Sequence, residues 1–165
     1  LMHFQPFFPS MMALPALFQL QGVERPSVGG IDPEMEAREF MRAYAEDVRA
    51  GRREAIANRY DSRGAYRVGE GRKNLESWPV IQASYMSEWN PPSRFAWQDL
   101  SYEVLTSDAV MVIGLFDWGI ADGRTLTFSY TGLLVRRDGR LRIRLEDESI
   151  SPRAVAAFTA VAAED

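Results

Sequence analysis

The sequence predicts an α+β domain in which N-terminal helices lie on one face of a curved antiparallel meander sheet. Apolar residues recur at helical spacing between about residues 32 and 90, whereas from Phe95 onward they alternate with polar residues. Three turn-forming pairs divide this second half into strands: Ser107-Asp108, Asp122-Gly123 and Asp138-Gly139. Helices followed by a meander are typical of α+β domains.

The helical half contains three predicted helices and one short strand. The first helix begins at Asp32-Pro33, a capping side chain followed by a proline in the first turn, and ends at Gly51. A short helix over about 52–60 leads into a brief strand over 65–68. The third helix covers about 76–89 and is stopped by the prolines that follow.

Composition excludes several classes of function. The chain has 165 residues, which suits one folded domain, and a net charge of −4, so it lacks the basic excess that nucleic-acid binding needs. It has no cysteine, and its one histidine is His3 in the N-terminal arm. We therefore expect no metal, no cofactor and no Ser-His-Asp chemistry. No stretch approaches the roughly 20 apolar residues of a membrane span.

The chain divides into three predicted parts. Residues 1–30 are an apolar N-terminal arm or signal-like segment plus a linker, 31–151 form the folded domain, and 152–165 are a C-terminal tail with helical potential. Residues 1–22 carry no charged side chain and leave three interpretations open: a secretory signal, a packing arm, or a start site assigned too far upstream. Export follows only from the first, and a cytoplasmic location is otherwise expected.

Two-residue turns predict a strand register. Asp122-Gly123 would pair Leu115 with Tyr130 and Asp117 with Phe128. Asp138-Gly139 would pair Leu134 with Ile143 and Tyr130 with Asp147, and Ser107-Asp108 would pair Val104 with Met111. A bulge near Gln98-Asp99 is expected to keep one face in phase. The predicted inner face holds Leu100, Tyr102, Val104, Met111, Ile113, Leu115, Asp117, Leu126, Phe128, Tyr130, Leu134, Leu141, Ile143, Leu145 and Asp147. The predicted outer face, a homodimer interface, holds Phe116, Trp118, Leu133, Glu146 and Glu148.

Two segments carry a family resemblance. The chain is similar to the nuclear transport factor 2-like superfamily in two segments: FMRAYAEDVRAGRREAIANRYD (40–61) and the C-terminal VRRDGRLRIRLEDESIS (135–151). In the second segment, Leu141 replaces the family's usual tryptophan. The resemblance lies in its SnoaL-like and ketosteroid-isomerase-like branches and covers about 32–151. It implies a cone-shaped α+β barrel, with helices closing a strongly curved sheet over a deep cavity, and dimerisation through the sheet.

The resemblance leaves the function open, because the superfamily includes isomerases, dehydratases, epoxide hydrolases, cyclases and non-catalytic modules. Tyr44 matches the oxyanion tyrosine of the isomerases. Their general base would fall near Val68 and their second acid near Thr131 or Gly132, where this chain has no carboxylate. The histidine–aspartate pair of the dehydratases cannot form without a histidine in the folded part.

Three residues are the predicted catalytic groups: Asp147, Asp117 and Tyr130. Two acids beside a tyrosine on an apolar face can perform general acid–base chemistry, although Asp147 could instead pair with an arginine such as Arg94. The predicted ligand-binding residues, which could equally be core, are Tyr44, Tyr60, Trp78, Tyr85, Trp89, Trp97 and Phe128. The sequence thus predicts a domain that binds an apolar small molecule, and it leaves open whether the domain also acts as a cofactor-free lyase, isomerase or cyclase. The alternative is a non-catalytic dimerisation module with a filled cavity.

Overall fold

The structure, a computed structural model, describes residues 32–69 and 72–150, except the side chains of residues 72, 73 and 150. The predicted arm and linker over 1–30 and the predicted tail over 152–165 lie outside the described residues.

The described part contains three helices, α1 (Pro33–Arg49), α2 (Arg53–Ala57) and α3 (Trp78–Ser87). The Asp32 carboxylate caps α1 by accepting from the Glu34 amide at 3.0 Å. Gly51 follows the helix with a φ of 63°, which glycine adopts at little cost. The predicted start and end of this helix are confirmed. The face of α1 toward the sheet is buried and carries Ala37, Met41, Tyr44, Ala45 and Val48.

Six strands form one sheet: β1 (Ala65–Gly69), β2 (Arg72–Glu76), β3 (Phe95–Thr106), β4 (Ala109–Gly119), β5 (Thr125–Arg137) and β6 (Arg140–Ile150). Their order is β2-β1-β6-β5-β4-β3, with β1 parallel to β6 and every other pair antiparallel. The predicted meander of β3 to β6 is confirmed. Strand β2 was missed because its sequence, RKNLE, has little apolar alternation.

The predicted pairing of β4 with β5 is wrong by one residue. Asp117 pairs with Thr127 rather than Phe128, and Tyr130 pairs with Gly114 rather than Leu115. The connection is a three-residue loop, closed by the Ile120 amide on the Arg124 carbonyl at 2.9 Å, instead of the assumed two-residue turn. Because side chains alternate along a strand, this one-residue shift reverses the faces of β4.

Two further irregularities change the predicted register. A shift after Val104 pairs that residue with Val110 instead of Met111. In the last hairpin the predicted Leu134–Ile143 pair is confirmed, but a shift beyond it places Tyr130 opposite Glu148 rather than Asp147. The inner face of β4 to β6 therefore includes Val110, Val112, Phe116, Tyr130, Leu134, Leu141, Ile143 and Glu146. Against the prediction, the outer face holds Met111, Ile113, Leu115, Asp117, Leu145 and Asp147, whereas Glu148 lies on the inner face opposite Tyr130.

The predicted bulge in β3 is confirmed. The pairing with β4 shifts between Gln98 and Ser101, and Asp99 has a φ of 49°. The extra residue brings Phe95 and Trp97 onto the same face as Leu100, Tyr102 and Val104, all of which pack against the core.

The left-handed conformation of Asp99 gives a test of this bulge. Asp99→Gly should keep or raise the free energy of unfolding, whereas Asp99→Val should lower it by about 1–2 kcal/mol, because a β-branched residue is strained at positive φ. Chemical denaturation of the two variants measures both changes. In a regular extended strand the order would reverse, since valine favours strands and glycine does not.

Candidate functional site

The centre of the candidate site is Glu146, a carboxyl group on β6 that is 4% exposed. The Tyr44 hydroxyl donates to its Oε1 at 3.2 Å, and the Tyr60 hydroxyl donates to its Oε2. The Tyr60 and Tyr85 hydroxyls lie 2.7 Å apart and share a hydrogen bond. We call Glu146, Tyr44, Tyr60, Tyr85 and Tyr130 the Glu146–tyrosine cluster.

Five separate elements bring this cluster together. Tyr44 is on the buried face of α1, Tyr85 on that of α3, and Tyr130 on the inner face of β5. Tyr60 follows α2, where its backbone bridges to Ile143 of β6. The cluster therefore lies between the helices and the sheet.

Tyr130 reaches the cluster because residue 132 is a glycine. A Cβ atom on Gly132 would lie only 2.6 Å from the Tyr130 hydroxyl oxygen, so the ring lies across a position that a side chain would fill. Gly132 is also the strand partner of Glu146. The Tyr130 hydroxyl is fully buried near Glu146 but makes no hydrogen bond of acceptable geometry, which is the one such case among described buried side chains. A buried hydroxyl without a partner is costly.

Glu146 has no ion-pair partner within the described part of the chain, unlike the buried acids Asp47 and Asp61. Asp47 binds Arg52 at 2.6 Å and also Arg59, and Asp61 binds Arg137 at 3.0 Å. Burial raises the pKa of Glu146, and the opposing effects of the Tyr60 bond, the Arg67 charge and the Tyr44 bond do not cancel it. Folding therefore shifts the protonation equilibrium of Glu146 toward the neutral carboxylic acid, compared with a glutamate in water.

The tyrosines of the cluster stay protonated at neutral pH. Burial, followed by the nearby Glu146 carboxyl, raises the pKa values of Tyr44, Tyr60 and Tyr130 well above the ordinary value, and the same two causes raise that of Tyr85. The cluster is thus a set of hydroxyl donors around one exchangeable carboxyl proton, an arrangement that can stabilise negative charge on a ligand oxygen.

Neither predicted catalytic aspartate joins this cluster. Asp147 lies on the outer face, where the Ser149 hydroxyl donates to it at 3.1 Å. Asp117 is buried on the outer face and accepts from Gln98 and, at 2.9 Å, from the Thr127 hydroxyl. Their predicted inner-face positions were wrong because of the register shifts. Glu146 was missed for the same reason, since the assumed register placed it on the outer face.

The predicted aromatic residues divide into two groups. Trp97 lies 4.8 Å from Tyr130 and 5.9 Å from Tyr44 between ring centroids, and Trp89 lies 5.8 Å from Tyr85, so both border the cluster. Phe128 stacks on Phe116 at 5.1 Å, and Trp78 donates its indole N–H to the Ala57 carbonyl at 3.3 Å. The second group packs away from Glu146.

The described residues contain no group of three or more His, Asp or Glu side chains that could hold a metal ion. Among the same residues, no helix has the length and apolar character required to cross a membrane.

Comparisons with known proteins identify the fold. No protein-family model matches the chain, and no curated protein matches it by sequence. Among solved structures, it is similar to an NTF-2-like protein of unknown function from Shewanella oneidensis MR-1, with a TM-score of 0.63 and 19% identity over 72% of this chain and 99% of that one.

Two other solved structures are similar over most of their length. A putative ketosteroid isomerase from Parabacteroides distasonis has a TM-score of 0.62 and 14% identity, covering 78% of this chain and 95% of that one. A putative calcium/calmodulin-dependent protein kinase II association domain from Xanthomonas campestris has a TM-score of 0.59 and 17% identity, covering 77% and 91%. The predicted fold is confirmed: the chain has a cone-shaped α+β fold, similar to that of these NTF-2-like structures.

Proposed function

We propose that the chain binds an apolar small molecule at the Glu146–tyrosine cluster and acts on it as a cofactor-free isomerase- or lyase-type acid–base catalyst. The observation that carries this proposal is the buried Tyr130 hydroxyl, which makes no hydrogen bond of good geometry. It lies close enough to the Glu146 carboxyl for each group to affect the pKa of the other, and this carboxyl has no ion-pair partner in the described chain. Perturbed, unpaired polar groups in an apolar interior are typical of functional sites.

The cluster suits a substrate that contains an enolisable carbonyl group. The Tyr130 hydroxyl can donate to the carbonyl oxygen, and its bond strengthens as that oxygen gains negative charge. In its ionised form, Glu146 can take the proton from the carbon next to the carbonyl group, leaving an enolate, and the resulting carboxylic acid can return a proton to carbon. A raised pKa brings the carboxyl group closer to neutral pH and makes its carboxylate a stronger base. Tyr44 and Tyr60 hold the Glu146 carboxyl in position. Similarity to a putative ketosteroid isomerase supports this class of reaction.

The bordering aromatic residues define the apolar part of the proposed site. Trp97 and Trp89 contact the tyrosines of the cluster, and we propose that a cyclic ligand packs against them. Trp78 and Phe128, also predicted as ligand contacts, belong to the supporting core in this proposal.

A second candidate function is a non-catalytic association module. The side chains of Tyr60, Phe116 and Tyr130 are each 2% exposed or less, so large side chains fill much of the interior. Similarity to a putative kinase association domain supports this alternative. It requires no proton transfer, which is the property that separates the two candidates.

We also propose a homodimer through the outer sheet face. The residues first expected there, Phe116 and Trp118, lie on the inner face. The outer face instead presents Ile113, which is 46% exposed, with Leu115 and Leu133 beside it. An exposed apolar patch on a sheet is typical of a subunit interface.

Light scattering tests the proposed dimer. The wild type should have about twice the monomer mass, and Ile113→Glu should shift it toward the monomer because a charge would be buried at the interface. Leu105→Glu is the matched control, since Leu105 is 51% exposed but lies at the bulged end of β3. A monomeric wild type rules out this interface.

Hydrogen exchange tests the proposed chemistry. The wild type should accelerate deuterium incorporation next to the carbonyl of 2-tetralone, an apolar cyclic ketone, in D2O followed by NMR. Glu146→Gln should lose most of this acceleration because it removes the carboxylate that accepts the proton from carbon. Tyr130→Phe should reduce it by roughly 100-fold or more, as for loss of one oxyanion donor.

Two control variants accompany this assay. Asp147→Asn removes the neighbouring carboxylate on the outer face, and Tyr66→Phe removes a hydroxyl from a 41% exposed tyrosine. Both should exchange at the wild-type rate. Equal rates for all four variants and the wild type would refute the catalytic proposal and favour the association module.

A further inference from the structure

Arg67 on β1 carries hydrogen-bond donors that the described chain does not use. Its side chain is only 24% exposed, yet both of its hydrogen bonds come from Nη1, to Glu76 at 3.3 Å and to the Ser84 hydroxyl at 3.1 Å. Within the described residues, Nε and Nη2 have no partner. These two nitrogens form one edge of the guanidinium group, with parallel N–H bonds that match the two oxygens of a carboxylate.

Other partly buried arginines of the fold use this edge. Arg59 donates from Nε to Asp47 at 2.7 Å and from Nη2 to the same carboxylate. Arg136 donates from Nε to Asp108 at 3.1 Å and from Nη2 to Glu36 at 2.6 Å. In both arginines this edge forms hydrogen bonds that connect separate segments of the chain. The corresponding edge of Arg67 forms no hydrogen bond within the described chain.

The position of Arg67 connects it to the candidate site. Its backbone pairs with Glu146, and its guanidinium carbon lies 5.6 Å from the centre of the Tyr85 ring. Gly132, over which the Tyr130 hydroxyl lies, pairs with Glu146 from the other side. Adjacent strands are about 4.8 Å apart. Arg67 and Gly132 therefore lie on either side of Glu146, with their backbones roughly 10 Å apart.

We propose that Arg67 binds the carboxylate of an acidic ligand, so that the substrate class is apolar carboxylic acids with an enolisable carbonyl group. This inference rests on the proposed function of the Glu146–tyrosine cluster and adds a second attachment point to it. The ligand's carboxylate contacts the free edge of Arg67, its carbonyl oxygen contacts Tyr130, and its apolar body packs against Tyr85 and Trp89.

The electrostatics of the cluster are compatible with an anionic ligand. Glu146 and Arg67 influence each other's pKa through their charges but form no ion pair, whereas Asp47 is in direct contact with Arg59. Glu76 contacts Arg67 through Nη1 only. A carboxylate at the opposite edge therefore meets a guanidinium that is only partly neutralised.

A matched pair of probes tests the inference on the wild-type protein. Calorimetry should show that 2-naphthoate binds roughly tenfold or more tightly than 2-naphthamide, because a charge-assisted bidentate contact is lost in the amide. Equal affinities, or no binding of 2-naphthoate, would overturn the inference. Exchange of 2-tetralone that still depends on Glu146 would then show that the proposed function itself stands.

Variants of Arg67 assign the preference to this residue. Arg67→Met should bind 2-naphthoate and 2-naphthamide with about equal affinity. Arg67→Lys keeps the positive charge but loses the two parallel N–H donors, and it should retain a reduced preference for 2-naphthoate. Arg42→Met removes a 57% exposed cation from α1 and should keep the full preference. If Arg67→Met does not fold, as judged by circular dichroism, the Arg67→Lys comparison decides. A full preference in Arg67→Lys or Arg67→Met would refute the assignment.

Discussion

The contact between the Glu146 carboxyl and the Tyr44 and Tyr60 hydroxyls is the interaction on which the interior depends. It joins β6 to α1 and to the segment after α2, and the Tyr60–Tyr85 bond extends it to α3. A buried carboxyl group is destabilising unless it is neutral or well hydrogen-bonded. Here hydroxyl donors, rather than an arginine, satisfy it. The helices are thus fixed over the sheet around a group that can still gain or lose a proton.

The proposed site follows from this arrangement. Asp47 and Asp61 are buried with arginine partners and so have an evident structural role. Glu146 has a raised pKa, the Tyr130 hydroxyl beside it has no hydrogen bond of good geometry, and Arg67 on the neighbouring strand has a side-chain edge without a partner in the described chain. These three features surround one point of the inner face, which is why a ligand with oxygen groups at both ends is the simplest occupant.

The sequence predicted the architecture well because periodicity and turn residues determine it. The cap at Asp32, the break at Gly51, the meander and the bulge at Asp99 were all predicted from local patterns. The faces of the strands were less predictable, because the loop after Ile120 has three residues and bulges shift the pairing after Val104 and Leu134. A one-residue shift in the register of β6 places Glu146, instead of Asp147, on the inner face.

The tyrosines could be predicted but their carboxyl partner could not. Tyr44, Tyr60, Tyr85 and Tyr130 are apolar enough to appear in the core patterns of their own elements. Glu146 is the first of three consecutive acids, followed by Asp147 and Glu148, and only the strand register decides which of them face inward. Arg67 was not predicted as a site residue because its proposed role depends on the parallel pairing of β1 with β6, which no turn in the sequence specifies.

The raised pKa of Glu146 fixes the sign of its effect on stability. Because the folded-state pKa lies above the unfolded-state value, the stabilising contribution is complete below the unfolded-state pKa. It is lost as the pH rises through the folded-state pKa.

The most direct test of the central claim is a titration of the Glu146 carboxyl by 13C NMR, with its signal assigned by its absence in Glu146→Gln. A pKa clearly above the ordinary glutamate value is expected. A pKa at or below that value would mean that the tyrosine hydroxyls stabilise the carboxylate more than burial destabilises it, and would contradict the claim that this group is poised to exchange a proton.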